Sequence, residues 1–192
     1  MNVWGDFDTD YEGANTGNND TEWWETDWVF TYSNSFNLLG DTPLNWTLGW
    51  IYYDVDSGED EEVFAIFGLD TLLAPELSAW RGIEWGDSWY IKLAMSHSWD
   101  ISKYWPEVKG WTFDVGGWLS YYDIDNADYS DFHDADIWAG ITIPVNDWCS
   151  LSPSINYSFP MSSDAKDFIE AASFDGNDSD FVYGGVTLNI SF

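Results

Sequence analysis

The 192-residue chain is poor in basic residues, cysteine and long apolar runs, and each shortage excludes a class of protein. Lysine and arginine number 5 against 35 aspartates and glutamates, a net charge of −30, and so acidic a surface repels nucleic-acid phosphates. One cysteine, Cys149, allows neither an intramolecular disulfide nor a cysteine-based zinc site. No apolar run reaches the roughly 18 residues that a membrane helix needs, which excludes a helical membrane protein.

Aromatic residues are abundant instead, and they make up 20% of the chain, with 15 tryptophans among them. Disordered acidic chains are poor in aromatic residues, so this composition favours a folded protein. The length suits a single domain over residues 1–192, large enough for a sizeable sheet or barrel.

Apolar and polar residues alternate along most of the chain, which is typical of strands with one buried face. In residues 88–99, for example, Trp89, Leu93 and Trp99 fall on one face, and small or polar residues fall on the other. We predict an all-β fold with ten strands, at residues 2–8, 22–33, 44–53, 62–70, 77–83, 88–98, 111–122, 135–145, 149–158 and 181–192. Residues 164–172 are predicted to form one or two helical turns within a connection.

The predicted connections alternate in length and charge. The odd-numbered connections are acidic and mostly long, at residues 6–20, 54–62, 123–136 and 163–180, with a short one near 84–87. The even-numbered connections hold far fewer acids, at residues 34–43, 71–76, 99–110 and 146–148. If the strands run up and down, the acidic connections share one end of the sheet, and both termini lie at the other.

Two architectures suit many alternating strands, a transmembrane barrel and a soluble sandwich or barrel. Aromatic residues near the strand ends match the girdles of outer-membrane barrels, and they are Trp24, Trp28, Trp46, Trp50, Trp89, Trp99, Trp111 and Tyr121. The opposite faces are small or polar, and the loop lengths are asymmetric, as in bacterial barrels. The terminal Phe192 on an amphipathic strand resembles the signal that the outer-membrane assembly machinery recognises. We therefore predict a transmembrane antiparallel up-and-down β-barrel of about ten strands.

Several segments resemble the TorF-type porin family, also known as the Gcw_chp family of outer-membrane proteins. They are Val3-Trp4-Gly5, Trp24-Glu25-Thr26-Asp27-Trp28, and Leu48-Gly49-Trp50-Ile51-Tyr52-Tyr53-Asp54 followed by Glu61-Glu62-Val63-Phe64. The resemblance implies an outer-membrane barrel of a Gram-negative bacterium. It does not indicate which substrate such a barrel would carry, because the family has no characterised substrate. Family members usually begin with a signal peptide and an extra hairpin before the Val-Trp-Gly strand, whereas this sequence begins at that strand. The resemblance therefore implies either a full barrel of twelve strands or a misplaced gene start.

Charged side chains on the polar faces are candidates for a selective lumen. Lys92 lies on the polar face of residues 88–98, Asp114 on that of the next strand, and Glu25 and Asp27 on that of an early strand. A buried lysine needs a partner, so we predict an ion pair of Lys92 with Asp114 or Glu25. Such charges form either a constriction that selects ions or a structural pair that plugs a narrow barrel.

The acidic connections are candidates for Ca²⁺ or Mg²⁺ binding, because both ions take oxygen ligands. The residues that would supply these oxygens are Asp8, Asp10, Glu12, Asp54, Asp56 and Glu59, although neither group has the full spacing of a calcium loop. The simpler interpretation is a solvated charged rim that concentrates cations near the mouth of the barrel. His97 is the one histidine with adjacent serines, and it falls on an apolar face, so we do not expect an enzyme.

These predictions combine into a narrow, cation-preferring outer-membrane porin without a dedicated cofactor. Its predicted partners are membrane lipid, lipopolysaccharide and the outer-membrane assembly machinery, and nucleic acid is excluded. Two alternatives stay open. One is a closed structural barrel whose acidic external loops bind divalent cations or a partner, and the other is a soluble aromatic-rich carbohydrate-binding β-domain.

Overall fold

The computed structural model describes residues 2–12, 19–55, 58–83, 87–173 and 176–191, with side chains from Glu25 onward except Leu39. These residues form one antiparallel sheet in which each strand pairs with its neighbours in sequence. The strands are β1 (Asn2–Glu12), β2 (Asn19–Leu39), β3 (Thr42–Val55), β4 (Gly58–Leu69), β5 (Glu76–Gly82), β6 (Ser88–Asp100), β7 (Thr112–Ile124), β8 (Tyr129–Asn146), β9 (Cys149–Pro160) and β10 (Phe181–Ile190). Helix α1 (Ser163–Ala172) lies in the connection between β9 and β10.

The predicted all-β, antiparallel up-and-down architecture is confirmed, and so is the helical segment predicted at residues 164–172. No pairing among the described residues joins β10 to β1. Closure into a barrel and the strand number of the closed form therefore stay predictions. Within the described ranges, no helix has the length and hydropathy to cross a membrane.

Much of the sequence predicted as acidic loop belongs to strands. The sequence predicts a loop at residues 54–62, but β3 and β4 continue through most of it, and Tyr53 lies opposite Asp60. Strand β8 likewise begins at Tyr129, inside the predicted loop 123–136. The loop prediction was wrong there because strand preference is weak and depends on context, so cross-strand pairing overrides the low preference of aspartate and glutamate.

The order of the strands separates the connections into two ends of the sheet. Because neighbouring strands are antiparallel and follow each other in sequence, the odd-numbered connections lie at one end and the even-numbered connections at the other. We call these the acidic end and the turn end. The turn end includes the tight turn at Gly40 and Asp41, and the connection after β6 that contains Lys103 and Lys109.

The polar face of the sheet is its concave face. Ser78, Ser120 and Asp136 on this face are only 1%, 0% and 1% exposed, although no second sheet covers them among the described residues. Contacts also reach past an intervening strand, since the Tyr183 hydroxyl on β10 donates to Asp136 Oδ2 on β8 at 3.0 Å. This burial follows if the sheet curves around its polar side chains.

The apolar face is convex and exposed. Ile137, Ile155 and Val186 on this face are 57%, 59% and 67% exposed. Large apolar side chains continue the same surface across the other strands, among them Phe30, Phe67, Leu77, Leu93, Leu119, Leu151 and Leu188. Soluble monomers rarely expose so large a continuous apolar surface, so this face is suited to contact with lipid or with another protein.

Aromatic residues pair near both ends of the convex face. Toward the acidic end, the ring centroids of Tyr121 and Phe132 are 5.8 Å apart. Toward the turn end, Trp99 stacks on Phe113 at 5.9 Å. Trp99 and Tyr121 are among the residues that the sequence predicts for two aromatic girdles, whereas Phe113 and Phe132 are not.

Candidate functional site in the concave face

The concave face carries many acidic residues and few basic ones. By strand register, its acidic residues are Glu25, Asp27, Asp60, Glu62, Glu76, Asp100, Asp114, Asp134 and Asp136. Of the five basic residues in the chain, Lys92 alone lies on this face in the described strands. The net field inside the curved sheet therefore favours cations.

Lys92 lies between two tryptophan rings. Its Nζ is 5.2 Å from the ring centroid of Trp80 on β5 and 5.5 Å from that of Trp118 on β7. Indole faces attract ammonium groups through their negative π surface, so these rings take the place of a carboxylate partner. The arrangement follows from register, because Lys92 lies opposite Ser78 and Ser120 on the adjacent strands.

The predicted ion pair between Lys92 and Asp114 is wrong. Asp114 lies opposite Ser98, six positions along β6 from Lys92. The described residues also contain no ion pair between Lys92 and Glu25. Glu25 and Asp27 lie on the concave face of β2, where Asp27 is opposite Tyr53 of β3.

Asp114 is held by neutral hydroxyl groups. The Ser98 hydroxyl donates to Oδ1 at 2.5 Å, and the hydroxyls of Thr112 and Thr142 donate to Oδ2 at 3.0 and 2.9 Å. Hydrogen bonds of this kind fix the position of a carboxylate without neutralising its charge. Asp114 therefore presents a negative charge at a defined place on the concave face.

Asp114 lines a cavity of about 940 Å³ in the turn-end half of the concave face, which we call the turn-end cavity. Trp118, Trp138 and Tyr183 provide its aromatic lining, and Asp136 provides a second carboxylate. Hydroxyl groups make up much of the remainder, from Ser96, Ser98, Thr112, Thr142, Ser152, Ser154 and Thr187.

A second cavity, of about 370 Å³, lies nearer the acidic end, and we call it the acidic-end cavity. Its lining residues are Glu62, Trp80, Ser88, Tyr90, Lys92 and Tyr122. Lys92 lines this cavity, while the Trp118 ring against its ammonium lines the turn-end cavity. Lys92 and Trp118 thus lie between the two cavities.

Helix α1 packs against the concave face at the acidic end. The Phe168 ring on α1 lies 4.6 Å from the ring centroid of Tyr129 and 5.6 Å from that of His133. It also lies 6.3 Å from Tyr122, which lines the acidic-end cavity. The helix therefore covers part of the concave face near the acidic end, and the alternation of the strands gives no signal of this contact.

The ends and the exposed surface of α1 explain why this segment is helical. The Ser162 hydroxyl accepts a hydrogen bond from the backbone N–H of Ala165 at 3.0 Å, which caps the first turn. On the exposed side, Lys166 Nζ lies 2.9 Å from Glu170 Oε1, one turn further along. The hydrogen bond to Glu170 raises the pKa of Lys166, so this lysine stays charged.

The predicted metal ligands are only partly described. Among the described residues, no group of three or more potential ligands could hold a metal ion. Asp54 and Glu59 lie opposite each other near the acidic end of β3 and β4, and both are exposed. Five predicted positions lie outside the described side chains, and they are Asp8, Asp10, Glu12, Asp56 and the terminal Phe192.

Comparison with known proteins gives no independent indication of function. No protein-family model matches the chain, and no curated protein matches it either. The resemblance to the TorF-type porin family therefore stays a prediction.

Proposed function

We propose that the chain forms an outer-membrane β-barrel in a Gram-negative bacterium and acts as a narrow, cation-preferring pore. The observation that carries the proposal is the distribution of polarity between the faces. Exposed apolar side chains cover the convex face, whereas polar side chains are buried on the concave face. A soluble protein has the opposite arrangement, and a barrel in lipid requires this one.

The dimensions of the apolar face support membrane insertion. Trp89 and Trp99 lie near opposite ends of β6 on the convex face, ten positions apart. At a rise of about 3.4 Å per residue, they are separated by about 34 Å along the strand. A strand tilted by about 40° then covers about 25 Å of membrane thickness, which is the height of the apolar band in outer-membrane barrels.

Insertion also requires that the free edges of β1 and β10 be paired. Hydrocarbon offers no partner for an exposed backbone N–H or carbonyl group, so an open sheet is unstable there. The proposal therefore includes closure, either by direct pairing of β1 with β10 or through an additional hairpin between them. Both routes give an even number of strands, as in single-chain bacterial barrels.

The preference for cations is supported by the charges on the concave face. Asp114 and Asp136 line the larger cavity, Glu62 lines the smaller one, and Lys92 lies between the cavities. Carboxylates along a pore make it cation-selective, and a lysine between the two cavities would raise the barrier to cation passage.

A closed structural barrel is the second candidate, and the large side chains on the concave face favour it. Phe64 is buried there beside β3, and Trp80, Trp118 and Trp138 also occupy this side. Such a barrel would fill its own interior, and its external surface would carry the function through divalent cations or a partner.

The two candidates are separated by electrical recording from the purified, refolded protein in a planar lipid bilayer. With a tenfold gradient of KCl, a cation-preferring pore gives discrete current steps and a reversal potential of the sign expected for K⁺. Steps with an anion-type reversal potential would contradict the selectivity. Complete absence of current from protein that has inserted would favour the structural barrel.

A further inference from the structure

We infer that the turn-end cavity binds small organic cations, that is, solutes with an ammonium or guanidinium group on a short carbon chain. The inference deepens the proposed function, because it names the class of solute that such a pore would select. Binding itself does not require that the pore conduct, so the two can be tested separately.

Carboxylates give the cavity lining a negative charge, and Lys92, whose ammonium lies against Trp118, is not part of that lining. Asp114 and Asp136 line the cavity, and no lysine or arginine is among its lining residues. The partners of Asp114 are three neutral hydroxyls, and the described partner of Asp136 is the Tyr183 hydroxyl. The carboxylates of this cavity therefore attract a free cation and repel an anion.

The aromatic lining indicates an organic cation rather than a bare metal ion. Trp118, Trp138 and Tyr183 expose ring surface to the cavity. A metal ion would need several oxygen ligands converging on one point, and no group of three potential acidic or histidine ligands occurs among the described residues. Indole faces bind alkylammonium groups well, because the ring attracts the charge and the carbon chain displaces water from the ring.

The chain itself provides an example of this interaction. The Lys92 side chain is a butylammonium group, and its Nζ lies between the rings of Trp80 and Trp118 at 5.2 and 5.5 Å. Trp118 also contributes to the lining of the turn-end cavity. The aromatic surface that holds a tethered ammonium group is therefore continuous with the surface offered to a free one.

The position of Trp138 and the volume of the cavity also suit small organic cations. Trp138 can lie close to β7 because Gly116 has no side chain, and a Cβ atom there would lie 2.6 Å from the indole. The remaining volume of about 940 Å³ is within the usual range for small-molecule sites. Hydroxyl oxygens around Asp114 can accept further hydrogen bonds from an ammonium group.

Isothermal titration calorimetry on the purified barrel in an uncharged detergent tests the inference. The probes are the diamine putrescine, the diol of the same chain length and the dicarboxylate succinate, which keep a four-carbon chain and differ in their terminal groups and charge. We expect putrescine to bind at least about tenfold more tightly than the diol, and succinate not to bind, because charge-assisted hydrogen bonds are the stronger ones. Equal affinity for diamine and diol would overturn the inference.

Two single-residue variants test whether putrescine binds in the turn-end cavity. Asp114→Asn keeps the shape of the side chain and removes its charge, so putrescine affinity should fall about tenfold. Asp147→Asn makes the same change in an exposed residue at the turn end, outside the cavity lining, and should leave the affinity unchanged. An unchanged affinity in Asp114→Asn, or an equal fall in both variants, would overturn the assignment to this cavity. Each variant is first checked for folding by its gel mobility before heating.

The outcomes separate this inference from the proposed pore. Putrescine binding without any channel current would support the cavity as a binding site and overturn the pore. Cation-selective current without preferential binding of putrescine would support the pore and overturn the inference.

Discussion

The aromatic ring of Phe64 on β4 fills the space beside Gly49 on β3, directly across the pair of strands, where any other residue would place its Cβ atom. Overlap with a buried ring cannot be relieved by a shift of a flexible side chain. We therefore expect Gly49→Ala to lower the free energy of unfolding by about 1–3 kcal/mol, as for other overpacked sites. The measurement is the midpoint of urea unfolding, followed by tryptophan fluorescence in detergent or lipid.

Gly68→Ala is the matched control for this prediction. Gly68 lies on the same face of β4, and a Cβ atom there would have no heavy atom within 4 Å. Its midpoint should stay close to that of the parent protein. If both variants lose the same stability, the effect belongs to glycine in strands generally and not to the contact with Phe64.

Lys92 is predicted to limit cation passage. In Lys92→Met the chain length is similar and the charge is lost, so the barrier to cations falls. At an effective dielectric constant of about 20, a unit charge at about 10 Å changes that barrier by roughly 1.5 kcal/mol. The ratio of cation to anion permeability should then rise roughly tenfold, as measured from reversal potentials.

Lys92→Arg is the control, because arginine keeps both the charge and the contact with indole rings. Its permeability ratio should stay near that of the parent protein. A ratio that falls in Lys92→Met would mean that the lysine does not act on cations through its charge.

An added charge should cost far more stability on the convex face of β9 than on its concave face. Ile155 is exposed on the convex face, and its neighbour Ser154 lines the turn-end cavity. In a membrane barrel, Ile155→Lys places an ammonium group in hydrocarbon and costs about 2–4 kcal/mol near the membrane centre. Ser154→Lys exposes the same group to an aqueous cavity and should cost much less.

The free energies of unfolding of the two β9 variants are measured by reversible unfolding in lipid vesicles. If Ile155→Lys is as stable as the parent protein, its face is in contact with water and the membrane interpretation fails. A soluble β-domain would show that result, and its solubility would improve with the added charge.

Helix α1 is predicted to narrow the opening at the acidic end. Phe168 anchors it against Tyr129 and His133, so Phe168→Ala should loosen the helix. We expect single-channel conductance to rise roughly twofold with little change in ion preference, because the opening widens while the constriction charges stay in place. Lys166→Ala, on the exposed side of the same helix, should leave the conductance unaltered. Equal conductance in the parent and Phe168→Ala would show that α1 does not restrict the passage.

The architecture could be predicted from alternation, and the contacts across strands could not. The sequence around Leu93 and Lys92 places the two residues on opposite faces because side chains alternate along a strand. The ion pair predicted for Lys92 failed because register decides which residues face each other on neighbouring strands. A single strand pattern contains no information on whether Asp114 or Ser120 lies opposite this lysine.

Other parts of the site depend on packing at long range. Phe168 lies more than thirty positions from Tyr129, and only the folded chain brings the two rings together. The same is true of Tyr183 and Asp136, which lie on strands separated by β9. The sequence pattern placed Asp114, Glu25 and Asp27 on polar faces, but it assigned most of the 35 acidic residues to loops, because alternation alone does not show how far each strand extends.

Gel mobility in SDS tests the central claim, that the chain closes into a membrane barrel, most directly. Protein extracted from membranes is compared before and after boiling, because a closed barrel resists SDS until it is heated. We predict that the unheated protein migrates at a different apparent mass from the boiled protein and is recovered in the membrane fraction. Identical mobility of the two samples, with the protein in the soluble fraction, would contradict the claim.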